Sequence, residues 1–112
     1  MPPARERGDL VPGTLELLIL QSLSVQPMHG YGIAQHIERL SDEVFRVEQG
    51  SLYPALERLL RKGWVTAAWQ ETPTKRRARY YTLTADGRAQ LGEELSRYER
   101  VTLAIARVLR GA

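Results

Sequence analysis

The chain has 112 residues, about the length of one domain, and its 43% hydrophobic and 26% charged residues are an ordinary globular balance. It contains no cysteine, which excludes disulfides, thiolate metal ligands and cysteine nucleophiles. The apolar run Leu17 to Leu20 is far too short to span a membrane, and the amino end shows no secretory leader. These observations predict a cytoplasmic binding protein without a cofactor.

Charge is distributed unevenly along the chain. Residues 1–50 carry four basic and seven acidic side chains, whereas residues 51–112 carry twelve basic and six acidic ones. Seven of the basic groups fall in the stretch from Arg58 to Arg79, where Glu71 is the one acidic residue. The basic residues are Arg58, Arg61, Lys62, Lys75, Arg76, Arg77 and Arg79. Such a concentration indicates a polyanion-binding surface if the fold gathers it on one side, and a solvated charged face otherwise.

The first half of the chain predicts a polar arm and two helices. Residues 1–9 are polar and contain two prolines, which is typical of a mobile arm. A helix starts near Thr14 and is apolar nearly all round, so we expect it to be buried on several sides. A second helix opens at His29 to Gly32 and has apolar residues at helical spacing. Val44 to Val47 predicts a short extended segment, because its residues favour strands.

A third helix is predicted from Gln49–Ser51 to a glycine cap at Gly63. Pro54 has to lie in or just after its first turn, where the missing N–H costs least. Leucines at helical spacing form the inner face. The neighbouring outward stripe consists of small and basic residues: Ser51, Ala55, Arg58 and Lys62.

The last part of the chain predicts a β-hairpin and a long helix. The strand-forming segments Trp64–Glu71 and Arg79–Thr84 flank a basic loop. Thr84 is the predicted N-cap of a helix that runs from Ala85 to about Arg110. Apolar positions alternate by four and three along it, a spacing typical of helix-to-helix association, and we expect them to hold two copies together: Leu91, Leu95, Tyr98, Thr102, Ile105 and Leu109.

The order helix, helix, short strand, helix and basic hairpin is that of a winged helix-turn-helix. The expected fold class is therefore mainly α with a small β-hairpin, followed by a long dimerisation helix. We divide the chain into a flexible arm (residues 1–9), a winged-helix domain (10–84) and a C-terminal helix (85–112). In this arrangement the third helix enters the DNA major groove and the basic hairpin reaches flanking phosphates or the minor groove.

The sequence resembles the PadR family of bacterial transcriptional regulators, over about residues 10–90. The matching segments are Gly30-Tyr31-Gly32-Ile33, Gly50-Ser51-Leu52-Tyr53-Pro54-Ala55-Leu56 with Arg58-Leu59, Gly63-Trp64-Val65, Arg79-Tyr80-Tyr81, Leu83-Thr84 and Gly87. The resemblance implies a homodimeric winged-helix protein that binds a pseudo-palindromic DNA operator, as a repressor by analogy with the family. With one C-terminal helix, the chain is similar to the short branch of that family.

Nine side chains are the candidates for DNA contact in this fold. Hydroxyl, amide and guanidinium groups can bond phosphates or base edges, and a helix amino end favours an anion. The candidates are Gln49, Ser51, Tyr53, Arg58, Tyr31, Lys75, Arg76, Arg77 and Arg79. For Arg58 the alternatives are an intrahelical pair with Glu57 or a solvated position, and Arg79 could instead pack along its strand. His29 is expected at a helix start and His36 at a surface or half-buried position.

Other functions fit the sequence less well. A winged-helix module that uses its basic patch on an acidic protein partner stays open, although the third-helix motif argues against it. An enzyme or a metal sensor is disfavoured, because the chain has two histidines, no cysteine and no evident pair of catalytic carboxylates. The family resemblance leaves a small-molecule effector possible. Trp64 and Trp69 are expected to fill the core, however, and Tyr98 is the one aromatic residue in the last helix.

Overall fold

The computed structural model describes residues 13–111, so the predicted arm lies outside the described part of the chain. The elements in chain order are α1 (Thr14–Val25), β1 (Met28–His29), α2 (Gly30–Leu40), α3 (Gln49–Arg61), β2 (Val65–Glu71), β3 (Arg77–Leu83) and α4 (Ala85–Gly111). The prediction of a mainly helical fold with a small hairpin is confirmed, and a third short strand is added to it.

Helix α1 lies at the centre of the core. It packs against α2, α3, β3 and α4, which explains why its sequence is apolar nearly all round. Ile19 and Leu20 are almost completely enclosed, together with leucines of α3 such as Leu56 and Leu59. Burial of this many aliphatic side chains is the main stabilising contribution to a domain of this size.

The sheet has three antiparallel strands in the order β1-β3-β2. Strand β1 precedes α2 and pairs with β3, Met28 opposite Tyr81 and His29 opposite Tyr80. The short strand predicted at Val44–Val47 is absent: a turn ends at Val44 and no strand follows before α3. The Glu38 carboxylate accepts a hydrogen bond from the Val47 N–H at 2.9 Å. This N–H therefore bonds a side chain instead of the backbone of a neighbouring strand.

Helix α3 begins at Gln49, continues through Pro54 in its second turn and ends in a regular cap. The N–H of Trp64 donates to the Leu59 carbonyl and that of Gly63 to the Leu60 carbonyl, which is the Schellman arrangement. The expectation that Ala55 faces outward was wrong, because Ala55 is fully buried against the core. The buried side of α3 is therefore broader than the leucine spacing indicated.

A compact joint connects α4 to the end of α3 and the start of β2. The Thr84 hydroxyl donates to the Gly63 carbonyl at 2.8 Å and accepts from the Gly87 N–H at 2.9 Å. The Thr84 N–H in turn donates to the Trp64 carbonyl at 3.0 Å. The predicted N-cap is thus confirmed, and it also fixes the direction in which α4 leaves the domain.

Helix α4 extends far beyond the body of the domain. Its 27 residues span about 40 Å at 1.5 Å per residue. Leu91 is buried and Leu95 is half-buried against the same core, whereas nearly every residue after them is exposed. The radius of gyration of 15.5 Å exceeds the value of about 13 Å for a compact chain of this length, since α4 projects outward.

Candidate nucleic-acid interface

The amino end of α3 is exposed and presents polar side chains. Gln49 and Ser51 are both exposed, and the side chain of the N-cap residue Glu48 makes no capping hydrogen bond to the first turn of the helix. Free N–H groups at a helix start attract an anion, both through hydrogen bonds and through the helix dipole. This end of α3 is suited to a phosphate or a base edge.

Tyr53 joins α3 to the start of α2. Its ring lies against Gly30, where an added Cβ would come within 2.5 Å of the phenolic oxygen. The side chain nevertheless remains 41% exposed, so its outer edge is open to a ligand. Packing and DNA contact, the two roles considered for Tyr53 from the sequence, are compatible in this position.

Tyr31 stands on the first turn of α2 and is 64% exposed. Its hydroxyl accepts a hydrogen bond from the Gln35 amide at 3.0 Å. The neighbouring His29 caps α2, because its Nδ1 accepts the Gly32 N–H at 3.0 Å. The expectation that His29 is a helix-start residue is confirmed, and His36 is half-buried as expected.

Arg58 makes an ion pair with a residue that the sequence did not suggest. Its Nε donates to Glu16 Oε2 at 2.6 Å, and Lys62 Nζ lies 3.6 Å from the other oxygen of the same carboxylate. Glu57 is not its partner. Both cations therefore lie on the side of α3 that faces α1, where Glu16 partly neutralises them.

The loop between β2 and β3 is held by its own threonine. The Thr72 hydroxyl accepts the Arg76 N–H at 3.1 Å, and the Thr72 carbonyl accepts the Lys75 N–H at 2.8 Å. Lys75, Arg76 and Arg77 are exposed, and none of them forms an ion pair within residues 13–111. We call the hairpin β2–β3 with this loop the wing, and its tip carries three cations that form no ion pair, although Glu71 lies opposite Arg77 in the strand register.

Arg79 is held more firmly than the cations of the tip. Its guanidinium donates to Glu57 Oε2 at 3.2 Å and lies 5.7 Å from the centre of the Tyr81 ring. Burial raises the pKa of the Tyr81 phenol above its ordinary value, so that ring remains neutral at physiological pH. Arg79 thus packs against Tyr81 of its own strand and also pairs with a carboxylate of α3.

Trp69 is an exposed aromatic residue of this region that the sequence analysis assigned to the core. Trp64 is half-buried against the core, as expected, whereas the expectation that Trp69 also fills the core was wrong. Trp69 is 60% exposed, with the Arg77 guanidinium 6.0 Å from its ring centre. The signal was present in β2, because Val65, Ala67 and Trp69 share a face and that face extends past the core.

These side chains surround one open cleft of about 930 Å³ between the wing and the first turns of α2 and α3. We call it the wing cleft. Of the nine predicted contacts it is lined by Tyr31, Tyr53, Arg76, Arg77 and Arg79, together with Gln35, Glu57 and Trp69. Gln49, Ser51 and Lys75 are exposed outside its lining, and Arg58 is turned toward α1.

Residues 13–111 contain neither a cluster of metal-ligating side chains nor a membrane-spanning helix. No three or more acidic or histidine side chains come together there as a group that could hold a metal ion. None of the described helices combines the length and the apolar content needed to cross a membrane.

Three packed helices followed by a two-stranded wing with a cationic tip define a winged helix-turn-helix protein. A comparison with family models makes this assignment specific, since the model of the transcriptional regulator PadR-like family matches residues 19–93. The chain belongs to this family, whose members are transcription regulators and not enzymes.

Similar proteins agree with the family match. A transcriptional regulator from Clostridium thermocellum is 27% identical, with a TM-score of 0.78 over 85% of this chain and 92% of that one. A PadR-like transcriptional regulator from Bacillus cereus is 25% identical, with a TM-score of 0.77 over 89% and 95%. An uncharacterised protein of Lysinibacillus sphaericus is 27% identical over 85% of this chain and 87% of its own.

Proposed function

We propose that the protein is a homodimeric, sequence-specific DNA-binding regulator that acts in the cytoplasm as a repressor. The observation that carries this proposal is the wing cleft. It brings Arg76 and Arg77, which form no ion pair with the described residues, to the same side of the molecule as Tyr31 and Tyr53. Cations without internal partners beside an open helix start are what a duplex with regularly spaced phosphates requires.

In the proposed complex α3 lies in the major groove. Gln49 can bond adenine through its amide, and the hydroxyls of Ser51 and Tyr53 can bond a base edge or a phosphate. The three cations of the wing tip contact flanking phosphates, with Tyr31 on the neighbouring backbone. Arg58 approaches DNA only from the side facing α1, because Glu16 holds it there.

Dimerisation is proposed to occur through α4, which would place two copies of α3 on one face of the duplex. Tyr98, Ile105 and Leu109 are exposed on this helix, although they are apolar. A twofold axis between the helices would present the α3 helices to half-sites about one helical turn, 34 Å, apart. A change in the angle between the α4 helices would move them out of register, which gives a small-molecule effector a way to release DNA.

The experiment is a selection of duplexes from a random library, followed by titration of the best sequence and a scrambled sequence across a salt series. A pseudo-palindromic sequence preferred by about 10³-fold or more supports the proposal. Weak binding to all duplexes that vanishes by about 200 mM salt contradicts it. That result would favour the alternative in which the basic surface binds an acidic protein.

Arg76→Ala tests the wing in the same titration. The variant should bind all duplexes more weakly, with a salt dependence reduced by about 0.9 for each protomer bound, because one phosphate contact is lost. Arg100→Ala is the matched control, since Arg100 is exposed on α4 away from the wing. Equal effects of the two substitutions would mean that only net charge matters and that the wing tip does not touch DNA.

A further inference from the structure

One acidic residue stands on the exposed side of α3. The buried side of this helix is formed by residues such as Leu52 and Leu56, and Glu57 lies opposite them. Glu57 is the carboxylate that lines the wing cleft, where the other charged groups of the described lining are arginines. A carboxylate in this position repels the phosphates that the arginines attract, so its presence on a DNA-binding surface needs an explanation.

The ion pair with Arg79 supplies part of the explanation. Glu57 Oε2 lies 3.2 Å from Arg79 Nη1, and this contact connects α3 to β3 across the cleft. Arg77 on the same strand and Arg76 in the adjoining loop form no ion pair with the described residues. Within one small surface, one arginine is therefore neutralised by a carboxylate while two others remain available to phosphate.

We propose that Glu57 is a selectivity-determining residue that suppresses binding to arbitrary DNA sequences. It holds Arg79 away from phosphates and opposes the approach of the backbone, and at the operator its carboxylate faces the amino group of a cytosine. The inference rests on the proposed function, because it concerns the same DNA-binding surface and names which sequences that surface rejects.

Glu57 acts on DNA in two ways, by repelling phosphates and by accepting a hydrogen bond from cytosine, and only the second depends on the DNA sequence. Phosphates are the same in every duplex, so the repulsion from Glu57 weakens binding to all of them. In the major groove, however, the N4 amino group of cytosine is a hydrogen-bond donor, and a carboxylate is its usual side-chain acceptor. A duplex with cytosine in the correct place regains what the repulsion removes, and a duplex without it does not. The ratio of operator to non-operator affinity rises as a result.

Glu57→Gln provides the test, with Glu93→Gln as the matched control. Both substitutions remove one exposed negative charge from a helix, but Glu93 lies on α4 outside the wing cleft. The affinities for the selected operator and for a scrambled duplex are measured across a salt series with each full-length variant. Circular dichroism establishes that both variants are folded.

We expect Glu57→Gln to bind the scrambled duplex about tenfold more tightly at low salt, with a salt dependence steeper by about 0.9 per protomer. Operator affinity should change by less than about threefold, so that the specificity ratio falls. A repeated selection should lose its preference for cytosine at one position of each half-site. Glu93→Gln should retain the wild-type ratio and the wild-type base preferences.

A second variant distinguishes the effect of the Glu57–Arg79 ion pair from the effect of the negative charge of Glu57. Arg79→Gln leaves the Glu57 carboxylate without a partner and should weaken binding to the scrambled duplex. The double variant Glu57→Gln/Arg79→Gln should return close to the wild-type value. The inference is overturned if Glu57→Gln behaves like Glu93→Gln, or if it strengthens operator and scrambled binding equally. A wild-type protein that prefers no duplex would instead overturn the proposed function itself.

Discussion

Gly87 shows how a single hydrogen atom in place of a side chain shapes this molecule. It lies in the first turn of α4, where the helix passes directly over the Trp64 backbone. An added Cβ would overlap the Trp64 carbonyl oxygen and come within 2.8 Å of Leu83 Cδ1. Backbone cannot move aside as the end of a flexible side chain can. The joint between α4 and the winged-helix body therefore requires glycine here.

We expect Gly87→Ala to lower the free energy of unfolding by about 1–3 kcal/mol, the usual cost of forcing an extra carbon into a packed contact. Gly92→Ala is the control on the same helix, because apart from the adjacent residues and the helix's own backbone no atom lies within 4 Å of the added Cβ there. That substitution should stabilise the protein by about 0.5–1 kcal/mol through helix propensity. Chemical denaturation of both variants is the measurement, and similar values for the two would refute the close contact.

Thr84 makes a second contribution at the same joint. Its hydroxyl bonds one group at the end of α3 and another at the start of α4, so two backbone groups lose a partner in Thr84→Val. We expect the free energy of unfolding to fall by about 1–2 kcal/mol, the upper range for the loss of a helix cap. Thr82→Val, at an exposed position two residues earlier on β3, should be nearly neutral. Equal losses in denaturation experiments would show that the cap is not what matters.

At the scale of elements, α2 and α3 meet where the Tyr53 ring covers Gly30. Gly30→Ala should push this ring outward, because the added Cβ would lie 2.8 Å from the ring carbon Cζ. The ring is partly exposed and can move, so we expect a loss of DNA affinity of about tenfold, or 1.4 kcal/mol. Thermal stability should fall by only a few degrees, roughly the effect of 1 kcal/mol or less.

Adding Tyr53→Ala to Gly30→Ala distinguishes this cause from a general weakening of α2. With the ring removed, Gly30→Ala should have no further effect on stability, because the two substitutions act through one contact. Thermal unfolding of the four proteins of this cycle measures the coupling. Strictly additive effects would contradict the contact.

The sequence predicts an element well when the residues that define it are close together along the chain, and poorly when a distant segment defines it. The four helices follow from apolar spacing and cap residues within a few positions of each other, as Thr84 illustrates. Strand β1 has two residues, Met28 and His29, too few to show a period, and only its pairing with β3 defines it. Val44–Val47 shows the opposite error, since strand propensity there has no neighbouring strand to pair with.

The sequence predicted several of the residues that line the candidate site, but it did not predict which side chains form ion pairs with each other. The tyrosines and wing arginines follow from the order of elements, and the structure places five of the nine candidates around the wing cleft. The partner of Arg58 is Glu16, 42 residues earlier, and the partner of Arg79 is Glu57 on a different element. Such contacts arise from the packing of whole elements, which residue spacing within one element does not encode.

At the scale of the whole molecule, the exposed half of α4 is the surface through which we propose that two copies associate. From Tyr98 to Leu109 this helix carries apolar side chains on a broad stripe with no cover from the rest of the described chain. Leu91 and the half-buried Leu95 belong to the protomer core, so substituting them would disturb the fold as well as any dimer. The positions that test self-association alone lie further along the helix.

Ile105→Asp is the sharpest test of dimerisation. Ile105 is 53% exposed and lies on the stripe with Tyr98 and Leu109. Leu103 is the control, because it is 50% exposed but lies about 160° away around the helix at 100° per residue. Burying a charge in a dimer interface without a partner is costly, so Ile105→Asp should give monomers at micromolar concentration while Leu103→Asp remains dimeric. Sedimentation velocity measures both, and a stable Ile105→Asp dimer would exclude this face. If the interface holds, Ile105→Asp should also lose affinity for a two-half-site operator and keep weak binding to one half-site, because each protomer retains its own wing cleft.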